Sequence, residues 1–371
     1  MSPDRGTPEE AMDSEMISEK NRRQAVPDIL KCLGCICVIV IHTASQSMSE
    51  LYIYSFNWIC AVFWGCLCRP AVPVFFMVTG ALLFDPNKKM TVWRIYEHYF
   101  LRILLCLLVW AFVYQLYFIA GYWILYREFD PSWFVEAVKS VLTFDHHLHL
   151  YYLQILLVFY IFLPLLRVFA ANAGRETQRY LLIVWFVLGI VFPLLYKFQP
   201  FSGIDGIPAE YPMPMIYASF GYALMGWYMR NTDIKRGDLG RWLTVFIAGF
   251  VIIFGVTVAV SMVQGRLYQD FLDGFTPGVA LMAIGAYGSV SALAAGRDSS
   301  SMPKALWLSK ASFCVYLVHH FFVMLLRTYL YRAYTWFCLL VIPAQAAVVL
   351  AASLLVYVIL RRIPWVRDHL I

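Results

Sequence analysis

The sequence predicts an all-α fold, a polytopic integral membrane protein of about ten transmembrane helices with both termini cytoplasmic. Three observations carry this. Of 371 residues, 61% are hydrophobic and 14% are charged, whereas soluble domains carry about 25% charged residues. No soluble core needs so much apolar sequence, so most of it faces lipid. That sequence is also divided into runs close to the ~20 residues a helix needs to cross a ~30 Å hydrocarbon layer. Finally, Lys and Arg concentrate on alternate flanks of those runs.

Residues 1–24 are polar and lack the apolar core of a signal peptide, so they read as a disordered cytoplasmic tail before a transmembrane domain at 25–371. Ten apolar runs follow, near 26–45, 56–84, 98–121, 149–170, 179–198, 212–230, 241–263, 275–295, 311–330 and 335–360. The second and last are long enough to tilt or break. Between the third and fourth, DPSWFVEAVKSVLTF (130–144) is too polar to cross. Asp130 can cap it and Pro131 suits a first helical position, so it reads as an interfacial amphipathic helix.

Orientation follows from basic residues. With the amino terminus inside, nineteen Lys and Arg residues flank the cytoplasmic ends. Six, Arg127, Lys139, Lys197, Arg266, Arg327 and Arg332, flank the opposite ends. An odd number of spans or the inverted topology would break that asymmetry. No dinucleotide fingerprint, phosphate loop or soluble catalytic domain occurs. The nine cysteines all sit in apolar runs. Cys32, Cys35 and Cys37 point in different directions on one helix, which suits buried thiols better than a metal site.

The first run, DILKCLGCICVIVIH (28–42), carries ionisable groups in an apolar helix. Lys31 and His42 are eleven residues apart, about 20° from three full turns, so they share a face and stand ~16 Å apart along the axis. Asp28 lies one turn below Lys31 on that face. Ionisable groups at this depth cost ~2.5–3.5 kcal/mol and mark functional sites. Snorkelling to the two surfaces is the competing explanation for each residue taken singly. The second run, CLCRPAVPVFFMVTGALLF (66–84), buries Arg69, which must pair or face a cavity. Pro70 and Pro73 break the helix there, and Thr79 offers a hydroxyl beside Gly80.

Two further stretches carry histidine. HHLHLYYLQ (146–154) leads into the fourth run with His146, His147, His149 and Tyr152. Interfacial packing explains these better than metal binding, because adjacent histidines diverge on a helix. ASFCVYLVHHFF (311–322) places His319 within the ninth run, with Ser312 and Tyr316 on roughly its face. A packing histidine and a catalytic one fit that position equally well.

Together these stretches resemble the acyltransferase-3 family of integral membrane acyltransferases, and within it the branch that O-acetylates enterobacterial common antigen and other surface polysaccharides. Asp28, Lys31 and His42 match the family's aspartate and Arg-x10-His pattern. VPVFFMVTGALL (72–83) matches V-P-x-F-F-x-x-S-G-x-L-L. HLYYL (149–153) and FLPLLR (162–167) match the fourth span, and YLVH (316–319) matches Y-L-x-H. The resemblance runs from about residue 22 to 362. Lys31 replaces arginine, which turns a bidentate contact into a single-point one. Thr79 replaces serine and keeps the hydroxyl.

The resemblance implies transfer of an acyl group, commonly acetyl, from cytoplasmic acyl-CoA to a hydroxyl of a cell-surface or lipid-linked glycan, in the inner membrane. Acetyl-CoA is then a co-substrate, and no cofactor is bound permanently. His42 is the expected general base, or carries the acyl group covalently. Asp28 and Lys31 orient groups lower in the channel. Arg69 and Thr79 are expected to stabilise the thioester oxyanion or position the acyl chain. Arg94, Arg102, Lys88 and Lys89 are expected near the nucleotide phosphates. His319, His149 and Tyr152 are further candidates. Membrane lipids are partners and nucleic acid is not. The same residues would serve a transporter or flippase as a proton relay and substrate clamp, but no inverted repeat is visible.

Overall fold

A computed structural model describes residues 25–145, 148–198, 200–204, 206–297 and 299–371. The expected tail at 1–24, and His146 and His147, lie outside the described residues. The chain is helical, and no strand occurs among the described residues. The principal helices are α1 (Ala25–Glu50), α2 (Phe56–Leu67), α3 (Ala71–Leu83), α4 (Leu101–Tyr126), α5 (Ser132–Leu142), α6 (Tyr151–Asn172), α7 (Arg175–Trp185), α8 (Met215–Arg230), α9 (Leu239–Gln264), α10 (Pro277–Leu293), α11 (Pro303–Tyr329), α12 (Cys338–Leu360) and the short α13 (Pro364–His369).

Nine helical segments among the described residues are long and apolar enough to cross a bilayer, so this is a multi-pass membrane protein. The run expected at 212–230 is a helix too, but α8 has only 16 residues, a length of ~24 Å at 1.5 Å per residue. It is largely buried by its neighbours: Gly226 meets the backbone of α3, and a Cβ there would stand 1.9 Å from the Met77 carbonyl oxygen. Gly80 is the reciprocal position, 2.0 Å from the Ala223 carbonyl oxygen. Only glycine permits this approach.

The second expected run divides into α2 and α3, with Arg69 and Pro70 in the break. Two arginines hold the far end of α3. Arg167 donates to the Leu83 carbonyl and, at 2.6 Å, to that of Lys88. Arg230 donates to the Ala81 carbonyl and pairs with Asp85 at 3.1 Å. Cations on the orphan carbonyls of a helix C-terminus fix its position, and α3 carries Phe75 and Thr79. A π-helical turn at Tyr96–Phe100 precedes α4. It re-aims the residues entering α4, as such turns do near functional sites. α5 forms at Ser132–Leu142 as expected for 130–144, and Asp130 Oδ1 accepts from the Ser132 amide at 2.8 Å.

At the centre α1 packs against α3 and α11. These three helices carry most of the polar residues discussed below.

Candidate active site

The periodicity that aligns Lys31 with His42 on α1 sets them at different levels of one seam. α11 runs beside α1 and supplies Ser309, Tyr316, His319 and His320. The turn before α6 supplies His149. Four imidazoles therefore meet at His42 level. The His42 ring lies 5.2 Å from that of His319 and 5.0 Å from that of His320, centroid to centroid. His149 stacks on His320 at 4.8 Å. Their helices are tied together there: Tyr316 donates its hydroxyl to the His149 carbonyl at 2.5 Å. Arg327 donates to the His42 carbonyl at 3.1 Å and to Ser45 Oγ at 2.5 Å. His149, His319 and His320 are buried, and His42 is half-buried.

One turn below lies a cavity of about 410 Å³. Tyr152, Tyr316 and Phe75 form its inner end, nearest the histidines. Thr79, Leu156 and Tyr160 line its middle, and Lys31, His98, Arg102 and Lys310 bring basic groups to the other end. The Tyr152 and Tyr316 rings stand 5.6 Å apart. The Tyr152 hydroxyl pairs with that of Thr79, which itself donates to the Phe75 carbonyl at 2.8 Å. A volume of this size, largely apolar and with a few charged groups at one end, is typical of small-molecule sites.

The expected residues thus fall into three groups. Lys31, Thr79, Arg102 and Tyr152 line the cavity, while His42, His149 and His319 form the cluster above it. Arg69 belongs with the cluster: its electrostatic neighbours include His42, Tyr151 and Asp273, and its Nε has no hydrogen-bond partner among the described residues. Asp28 is buried beside the cavity rather than lining it, and accepts from Ser309 Oγ at 2.6 Å. Arg94, Lys88 and Lys89 are exposed and do not line the cavity. Lys88 Nζ donates to the Leu82 carbonyl at 2.8 Å instead.

Sequence reasoning missed His98, Tyr99, Lys310 and His320. The π-helical turn shifts the faces of the segment that holds His98 and Tyr99, so regular helical periodicity misplaces them. His320 diverges from His319 by one helical step, yet the rings of both lie within 5.2 Å of that of His42. No group of three or more His, Cys, Asp or Glu is arranged to hold a metal ion among the described residues.

A bundle of helices long and apolar enough to cross a membrane, enclosing a cavity under a histidine cluster, is the architecture of a polytopic membrane protein with an internal small-molecule site. A model of the acyltransferase-3 family, described as an acyltransferase domain, matches residues 25–362. The chain belongs to that family and is a membrane acyltransferase. No curated protein and no solved structure matches it.

Proposed function

We propose that the chain moves an acyl group, acetyl in the first instance, from acyl-CoA to a hydroxyl of a cell-surface or lipid-linked glycan, as in the O-acetyltransferase branch that acts on enterobacterial common antigen and related polysaccharides. It works in the inner membrane with both termini and the Lys31 end of the bundle facing the cytoplasm. The observation that carries the reading is the cavity that rises from Lys31, Arg102 and Lys310 to Tyr152 and Tyr316, one turn short of His42. The basic end suits the phosphates of the coenzyme and the apolar shaft suits its thioester arm. Arg69 beside His42 is a cation available to the developing oxyanion.

In this reading His42 is the general base. A sugar hydroxyl is a weak nucleophile near neutrality, and an imidazole can take its proton as the oxygen attacks the thioester carbon. The new C–O bond forms, the C–S bond breaks, and the proton passes on to the departing thiolate. The test is coenzyme A release from acetyl-CoA by purified protein in lipid, for the wild type and His42→Ala. Release by the wild type that the substitution cuts to a small residual rate supports the reading. Release that survives His42→Ala removes His42 as the base. No release from any acyl-CoA, with no binding, removes acyl-CoA as the donor.

A further inference from the structure

His319 is fully buried. Its Nδ1 lies 2.7 Å from the Tyr316 carbonyl oxygen and 3.2 Å from that of Val315. A carbonyl oxygen can only accept, so Nδ1 bears the hydrogen, and in the neutral ring Nε2 bears the lone pair. That Nε2 is buried and has no hydrogen-bond partner among the described residues. A buried acceptor left unmatched is destabilising, so it calls for an explanation. The His42 ring supplies one. Two imidazoles joined by an N–H···N bond of about 2.9 Å have centroids about 5 Å apart, and these two are 5.2 Å apart at 46°. A small rotation of the His42 ring closes the bond. The edge of His320 at 5.0 Å limits that rotation, and Arg327 holds the backbone of His42.

We propose that His319 is a positioning residue for His42. Its Nε2 accepts the N–H of one His42 nitrogen and so presents the other, as a lone pair, to the acceptor hydroxyl. The inference rests on the reading of His42 as the base. As the hydroxyl oxygen bonds to the acyl carbon and the C–S bond breaks, the hydroxyl proton passes to the open nitrogen of His42. The imidazolium keeps its other N–H on His319 Nε2, then returns the transferred proton to the thiolate. Asp28 and Lys31 lie more than three turns below and take no part in the pairing.

Two substitutions separate this role from packing. His319→Asn puts an amide N–H where Nδ1 was and nothing at the ε position. His319→Gln carries an amide to the ε position. The expected result is that His319→Asn keeps the wild-type melting temperature in lipid or detergent and KM for acetyl-CoA within about twofold, while kcat falls about 100-fold, as expected for a misdirected base. His319→Gln then recovers at least part of kcat. A His319→Asn variant with wild-type kcat overturns the proposal, as does equal loss in both variants. Where either variant fails to fold, a double substitution decides. In a His42→Ala background His319→Ala should lower the residual rate no further, because its effect runs through His42. An additive loss overturns the proposal and leaves His42 as the base. Full activity in His42→Ala alone overturns the reading of His42 itself.

Discussion

His149 and His320 stack face to face, with ring centroids 4.8 Å apart and planes 7° from parallel. Tyr114 meets the His149 ring edge-on at 4.5 Å, and Phe321 stacks on Tyr114 at 3.8 Å. The column joins α4, α11 and the turn before α6. It makes the stack a packing element that holds the histidine cluster in shape. Phenylalanine can replace an imidazole in such a stack, so His320→Phe should shift stability by less than about 1 kcal/mol, whereas His320→Ala opens a cavity worth about 2–4 kcal/mol. Thermal unfolding of both variants in one detergent checks this, and equal destabilisation would show that the ring nitrogens, not the stack, carry the contribution.

Asp28 is the buried acid of α1, and Ser309 of α11 donates to it at 2.6 Å. Removing one partner of a buried hydrogen-bonded polar group costs about 1–3 kcal/mol. Ser309→Ala should therefore lower stability by that amount while Ser309→Thr, which keeps the hydroxyl, lowers it less. Because Ser309 lines the cavity and the bond ties the α1–α11 seam beside it, Ser309→Ala should also raise KM for acyl-CoA more than it lowers kcat. A fall in kcat alone would move Asp28 into the chemistry.

Helical periodicity makes the α1 face legible in the sequence. Lys31 does line the cavity and His42 does stand above it, because an unbroken helix obeys its 3.6-residue repeat. The break at Arg69–Pro70 was legible for the same local reason: proline removes a donor wherever it falls. What the sequence concealed depends on long-range packing. How closely a 16-residue apolar run is enclosed by its neighbours turns on glycine contacts with another helix, as at Gly80 and Gly226. The roles of Arg94 and Arg102 look alike in sequence, but only Arg102 faces the cavity, after a π-helical turn that no apolar pattern announces.

That difference between the arginines is testable. Lys310→Ala and Arg102→Gln remove positive charge from the cavity lining and should each raise KM for acyl-CoA about tenfold, the scale of one charged hydrogen bond, with kcat little changed. Arg94→Ala and Lys89→Ala, which lie outside the lining, should move KM by less than about twofold, the scale of an exposed charge. The assay is the KM for acetyl-CoA at low and moderate salt. A large effect from Arg94→Ala would place the phosphates on the outer surface instead of in the cavity.

Asp85 lies just past the end of α3. Burial would raise its pKa, but hydrogen bonds from Asn87 and the charge of Arg230 at 3.1 Å outweigh that and hold it below the ordinary value of 3.8. A carboxylate depressed on folding adds stability at pH values above its unfolded pKa, and that stability drains away as pH falls through the folded pKa. The contribution is therefore intact at neutral pH and is lost below about 3.8. Asp85→Asn should lower stability at pH 7 and flatten the acid side of the stability curve. Parallel acid limbs for the two proteins would show that Asp85 does not contribute to acid sensitivity.

The α3–α8 crossing supplies the sharpest structural test. A Cβ at Gly226 would stand 1.9 Å from the Met77 carbonyl oxygen, and one at Gly80 would stand 2.0 Å from that of Ala223. Both obstacles are backbone, so no side chain can swing aside, and the helices must separate. Gly226→Ala should cost about 2–4 kcal/mol, at the upper end of overpacking. α3 carries Thr79 and Phe75 on the cavity, so the folded fraction should also bind acyl-CoA more weakly. Gly255 in α9 is the control, because nothing lies within 4 Å of a Cβ built there. Gly255→Ala removes only the freedom of the unfolded chain and should stabilise by about 0.5–1 kcal/mol. If Gly226→Ala melts with the wild type, α3 and α8 are not in backbone contact and α8 is free to adopt a different tilt.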